Sequence, residues 1–157
     1  MPELRRQLIE TACRMAPANL NRGSAGNLSV RTRENGLDGY LITPSGMDYE
    51  VLVPEDIVFM RLDGTPDGRR KPSSEWRFHH DIYAARPDAG AILHAHSPFA
   101  TSLACLRRDI PPFHYMIARF GGDTIRCADY ATFGSQALSD NALVALRDRC
   151  ACLLANH

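Results

Sequence analysis

The chain has 157 residues, enough for one domain with a real core. Its 18 basic residues balance 18 acidic ones, so neither a nucleic-acid footprint nor a like-charge interaction tail is expected. No apolar stretch reaches the roughly 18 residues that a membrane span requires. The N-terminus runs straight into an amphipathic pattern without a hydrophobic signal core, so a cytoplasmic location is expected.

Leu4, Leu8, Ala12 and Met15 recur at helical spacing and predict a helix over about 3–16, stopped before Pro17. A turn of small residues, 21–27, leads into a strand with Leu28 and Val30 on one face and Ser29 and Arg31 on the other. Further strands are expected at 40–43 and 57–62, ended by Pro44-Ser45-Gly46 and Asp63-Gly64. The cluster Arg69-Arg70-Lys71 reads as a solvated turn. Pro72-Ser73-Ser74-Glu75 reads as a helix start, with a serine N-cap and an acid in the first turn of a helix reaching about Ala85.

Residues 91–96 read as a buried strand, followed after Ser97-Pro98 by a short helix through Leu106. A strand at 113–117, a Gly121-Gly122 break, a strand around Ile125, a helix over 138–146 and a final apolar strand at 151–155 complete the pattern. Strands outnumber helices without regular βαβ alternation, which predicts a largely antiparallel or mixed sheet with helices packed on it. The cysteines at 13, 105, 127, 150 and 152 are odd in number and scattered, and read as reduced core thiols. Cys150 and Cys152 read as alternate positions on one strand face.

Three kinds of residue carry chemistry. His94 and His96, two apart on a predicted strand, point to one face and suit adjacent corners of a tetrahedral zinc site. His157, at the tip of another apolar strand, is a candidate third nitrogen, whereas His79, His80 and His114 read as ordinary core or surface residues. Glu75 is either a helix-dipole acid or a carboxylate facing the metal as ligand or general base; spacing does not decide between them. Gly26-Asn27, Ser45-Gly46 and Ser73-Ser74 are small-residue turns of the kind that bind phosphate and also of the kind that simply turn.

The ordered combination of residues 21–31, 41–46, 72–77 and His94-Ala95-His96 resembles the class II aldolase/adducin family, and the likeness spans essentially the whole chain. It implies an α/β fold, a three-layer α/β/α sandwich with a largely antiparallel central sheet, over residues 1–157 as a single domain. The family continues after the third histidine, so a C-terminal portion is expected beyond His157. The segments 114–118 and 130–134 resemble the aldolases within the family that cleave L-fuculose 1-phosphate or a related ketose 1-phosphate, which yields dihydroxyacetone phosphate and, from fuculose, L-lactaldehyde.

Carried over residue by residue, the resemblance implies that His94, His96 and His157 hold one zinc per subunit. Glu75 is then a fourth ligand that moves to act as catalytic base. Asn27, Ser45, Gly46, Ser73 and Ser74 match phosphate-binding positions, and Tyr115 matches a tyrosine that acts across a subunit interface in a homotetramer. Zinc as a Lewis acid suits the charge that develops when a C–C bond beside a ketone breaks. A Schiff base is not required, and the only lysine, Lys71, sits in a polar loop. L-Ribulose-5-phosphate 4-epimerases of the family typically carry aspartate where Glu75 stands, methylthioribulose-phosphate dehydratases share His-x-His and the glutamate but resemble the Tyr115 segment less well, and adducin-type interaction modules keep the fold without the metal site.

Overall fold

The computed structural model describes residues 2–157. They divide into two compact units, the first ending at His96 and the second covering Ser97–His157.

The first unit is built on an antiparallel sheet. β1 (Asn27–Glu34) and β2 (Leu37–Ile42) form a hairpin whose closing pair is Glu34 and Leu37. Asn35 and Gly36 make the loop, both at positive φ (51° and 82°), as tight primed turns require and as Asn-Gly supplies best. β3 (Val58–Arg61) pairs with β2, the short β4 (Pro66–Asp67) with β3, and β5 (Ala91–His94) with β1, giving the order β4-β3-β2-β1-β5.

Each face of this sheet carries a helix. α1 (Pro2–Met15) places Leu8, Ala12 and Met15 against Leu28, Leu41 and Phe59. α2 (Trp76–Ala85) places Tyr83 against Tyr40, Ile42, Val58 and Met60 on the opposite face. The period-2 alternation of the strands therefore feeds two cores, and the unit is an α/β/α sandwich. Tyr40, Leu41, Ile42, Val58 and Met60 have at most traces of exposed surface; each aliphatic side chain so buried is worth about 1.5–3 kcal/mol.

The second unit has α3 (Pro98–Cys105), a 3-10 turn at Tyr115–Phe120, β6 (Cys127–Ala128), α4 (Gln136–Ala145) and β7 (Leu153–Leu154) parallel to β6. Its core is small, formed by Ala104, Ile117, Ile125 and Leu153. Ser135 caps α4 by accepting from the Leu138 N–H.

Several expectations are corrected. The strand foreseen at 113–117 is replaced by the 3-10 turn. Pro111 and Pro112 offer no N–H to a ladder, His114 accepts from the Met116 N–H, and Gly121 closes the turn at φ 98°. Ile125 forms only an isolated bridge to Ile110. The last strand is limited to Leu153–Leu154, so Cys150 and Cys152 precede it and share no strand face. All five cysteines are free, but Cys105 and Cys150 are exposed rather than core thiols.

β5 is an edge strand with Ala91 and Leu93 exposed, because it pairs with β1 alone. Arg69 and Arg70 do more than face solvent: both bond the buried Asp56 carboxylate, at 2.8 and 2.7 Å. No helix among the described residues is long and apolar enough to cross a membrane.

Candidate active site

β1, β5 and the start of α2 bring three expected site residues together inside the first unit. Asn27 opens β1 and is paired in register with His94, the last residue of β5. The Glu75 carboxylate lies beside both: Oε2 accepts from Asn27 Nδ2 at 3.0 Å and is 3.3 Å from His94 Nε2. His94 Nε2 and His96 Nε2 approach to 2.9 Å. β5 ends at His94, so the two imidazoles converge through the bend after the strand and not through strand alternation alone.

That bend is held from the N-terminal side. The His96 N–H is shared by the Leu20 carbonyl and the Asn21 Oδ1, each at 2.9 Å. Gly26 is required beneath it, because a Cβ there would run into the Asn21 amide and the His94 carbonyl. Tyr49 O–H donates to the Gly26 carbonyl and fixes the loop from below.

Glu75 does not spend its carboxylate on the helix. It occupies the N-cap position of α2 without a side-chain cap bond, and α2 proper begins at Trp76. The serine contribution is local: Ser73 Oγ accepts from the Glu75 N–H at 3.3 Å. The carboxylate is thereby left to face Asn27 and His94, and the helix-dipole reading of Glu75 gives way.

The small-residue turns are also joined. An isolated antiparallel bridge links Pro44 to Pro72; Ser45 N–H donates to the Lys71 carbonyl and Ser73 N–H to the Thr43 carbonyl. Ser45, Gly46, Ser73 and Ser74 thus lie on two loops tied side by side. Gly46 is at φ 68°, a conformation that favours glycine. Ser73 is buried, while Ser45, Gly46 and Ser74 are exposed.

In the second unit, His157 follows β7 and donates its N–H to the Leu154 carbonyl. Tyr115 is 82% exposed and stacks on His114.

Sequence reading passed over His79. It is fully buried, and its Nε2 is 2.5 Å from Asn27 Oδ1 while its Nδ1 is 2.7 Å from Ser29 Oγ. Burial, then the nearby His94, push the imidazole down to about 3, against a smaller upward pull from Glu75, so it is neutral at physiological pH. Ser29 in turn meets Tyr83 O–H at 2.9 Å. A signal was present: Asn27, Ser29 and Arg31 alternate along a strand, and Glu75, His79 and Tyr83 recur every fourth residue along a helix.

Residues 6–157 match the family model described as Class II Aldolase and Adducin N-terminal domain. The chain belongs to the class II aldolase and adducin family and is an enzyme of that class, a metal-dependent aldehyde-lyase. It is 57% identical over 154 residues to a 5-methylthioribulose-1-phosphate/5-deoxyribulose-1-phosphate aldolase of Rhodospirillum rubrum, covering 98% of this chain and 68% of that protein. It is 48% identical over 155 residues to the L-fuculose phosphate aldolase of Escherichia coli, covering 99% of this chain and 70% of the relative. A solved L-fuculose 1-phosphate aldolase superposes with a TM-score of 0.93 at 44% identity, over 100% of this chain and 73% of the other.

Proposed function

We propose that this protein cleaves a ketose 1-phosphate whose far end carries no hydroxyl, releasing dihydroxyacetone phosphate and a short aldehyde. L-Fuculose 1-phosphate, 5-deoxyribulose 1-phosphate and its methylthio analogue share that feature, and the relatives named above act on them. The higher identity to the Rhodospirillum rubrum protein favours the five-carbon substrates. The observation that carries the reading is the convergence of Glu75, His94 and His96 beside Asn27.

Two imidazole nitrogens and a carboxylate oxygen at one point fit a divalent cation, and zinc is our reading among the ions that imidazole suits. His157 is the third imidazole by resemblance to the family. Bound there, the cation supplies Lewis-acid polarisation of the substrate carbonyl. Asn27, Ser45, Gly46, Ser73 and Ser74 anchor the phosphate and set the ketose end at a fixed distance from Glu75.

In the cleavage direction the C4 hydroxyl loses its proton, the C3–C4 bond breaks with its electrons left on the ketose fragment, and the aldehyde departs. Glu75 then delivers a proton to C3, completing dihydroxyacetone phosphate; in the reverse direction it removes that proton. Tyr115 of a neighbouring subunit handles the proton on the aldehyde oxygen. Its exposure in the single chain leaves the side chain accessible to a neighbouring subunit, as the proposed homotetramer requires.

The test is to incubate the zinc-loaded protein with each of the three ketose phosphates and follow dihydroxyacetone phosphate, with a chelated control. Chelator-sensitive release from at least one is expected. Protein that carries zinc and releases none from any of them overturns the reading in favour of epimerase or dehydratase chemistry.

A further inference from the structure

Asn27, Ser29, Glu75, His79 and Tyr83 are each at most 6% exposed and form one continuous chain of hydrogen bonds. The chain exists because two repeats match. Two residues of a strand advance about 6.6–6.8 Å, and four residues of a helix about 6 Å. Positions 27, 29 and 31 of β1 therefore keep step with 75, 79 and 83 at and along α2. Arg31 completes the ladder, with its guanidinium 4.7 Å from the Tyr83 ring centroid and 2.8 Å from the Tyr83 carbonyl.

The direction of every bond follows from the Glu75 end. A carboxylate only accepts, so Asn27 turns its amide nitrogen to Glu75 and its Oδ1 to His79. Oδ1 only accepts, so the His79 proton sits on Nε2 and Nδ1 is bare. Ser29 must then donate to Nδ1, and Tyr83 O–H must donate to Ser29. Reversing one link leaves two acceptors or two donors facing each other in a dry interior, where an unsatisfied polar group keeps its full desolvation penalty.

We infer that His79 is a positioning residue for the aldol chemistry: in its Nε2–H tautomer, with Ser29 donating to Nδ1, it locks the Asn27 amide with nitrogen toward Glu75. With the amide so held, Glu75 keeps one orientation beside His94, and Asn27 presents a donor, not a carbonyl, to the substrate side. This rests on Glu75 being the proton-transfer group. His79 itself touches no reacting atom.

Three variants of the metal-loaded protein test it. His79→Leu, which leaves Asn27 Oδ1 and Ser29 Oγ without this partner, should lower the thermal midpoint while staying folded by circular dichroism, and should lower kcat about 10²-fold, the scale of a misplaced catalytic group. Proton exchange at C3 of dihydroxyacetone phosphate should fall in the same proportion. His79→Gln, which can return an N–H to Asn27 Oδ1, should recover most of the loss. A purely space-filling role predicts no rescue, so equal impairment of the two variants overturns the inference, as does a wild-type rate in His79→Leu.

If His79→Leu does not fold, Ser29→Ala decides. Nitrogen NMR of the imidazole should show only the Nε2–H form in wild type and a mixture in Ser29→Ala, with kcat lowered. The Nδ1–H form in wild type, or an unchanged tautomer and rate in the variant, overturns the proposal. Glu75→Gln separates this from failure of the functional reading: full C3 exchange in that variant removes Glu75 from the chemistry, while the tautomer result stands by itself.

Discussion

The two units use their side chains in opposite ways. In the first, polar groups go inward: Asn27, Ser29, Glu75 and His79 are buried and bonded to one another, and Asp56 is buried under two arginines. In the second, large apolar groups are left outward: Phe99, Phe113, Tyr115 and Phe133 are each more than 60% exposed in the single chain. A buried polar cluster is affordable only when every member is satisfied, and then it fixes geometry. An exposed aromatic surface fixes nothing within the chain and suits contact with another surface. On the function proposed above, proton transfer at C3 falls to the first unit, and contact with a neighbouring subunit to the second.

The sharpest way to break this comparison is chemical. Glu75→Gln should lose cleavage and C3 proton exchange together, by about 10²–10⁴-fold, while staying folded by circular dichroism. Tyr115→Phe, in the second unit, should slow cleavage and spare exchange. Loss of both activities in both variants would show that the division between the units is not one of chemical roles.

Packing sharpens it next. Leu41 has no exposed surface, so Leu41→Ala should cost about 2–5 kcal/mol in denaturant titration. Asp56→Asn should cost less, roughly 1–3 kcal/mol and toward the lower figure, because Arg69 and Arg70 are half exposed and screened.

The Asp56 loss has a pH signature. Burial alone would raise this carboxyl, but bonds from Arg70, the Val53 N–H and Arg69 outweigh it and hold it below its ordinary 3.8. A depressed acid contributes fully above its unfolded value and loses that contribution as pH falls through the folded one. Wild type and Asp56→Asn should therefore converge in stability below about pH 4; a gap that stays constant to lower pH would assign the effect to packing.

The smallest expected effect is that of Phe99→Ala, within about 0.5 kcal/mol for the chain itself, given its 86% exposure. A larger loss that grows with protein concentration would show that assembly covers this surface.

Much of the first unit was legible before any coordinates. Apolar spacing located α1 almost to the residue, the serine-acid helix start and Pro87 located α2 with its N-cap set a residue or two early, and alternation placed Leu28 and Val30 opposite Ser29 and Arg31. The His94–His96 pair stood out by type and spacing, and Glu75 by type, its role being implied by the family resemblance. His79 did not, because a histidine at the centre of an amphipathic helix looks like any satisfied core residue. The apolar content of residues 113–117 suggests a strand, but Pro111 and Pro112 ahead of it lack ladder donors, and Tyr115–Phe120 folds as a 3-10 turn.

By itself, then, the sequence determined which residues turn inward on α1 and β1, that α2 stops ahead of Pro87, and which side chains could ligate or transfer protons. Those properties are local, governed by period, turn chemistry and side-chain type. Only the tertiary structure decided which inward faces meet: that β1 lies beneath α2, that Glu75 turns from the helix to Asn27, and that Arg69 and Arg70 close on Asp56. The reason is that a buried polar group must be satisfied by whatever folds against it, and that partner can lie about fifty residues away, as Asn27 lies from His79.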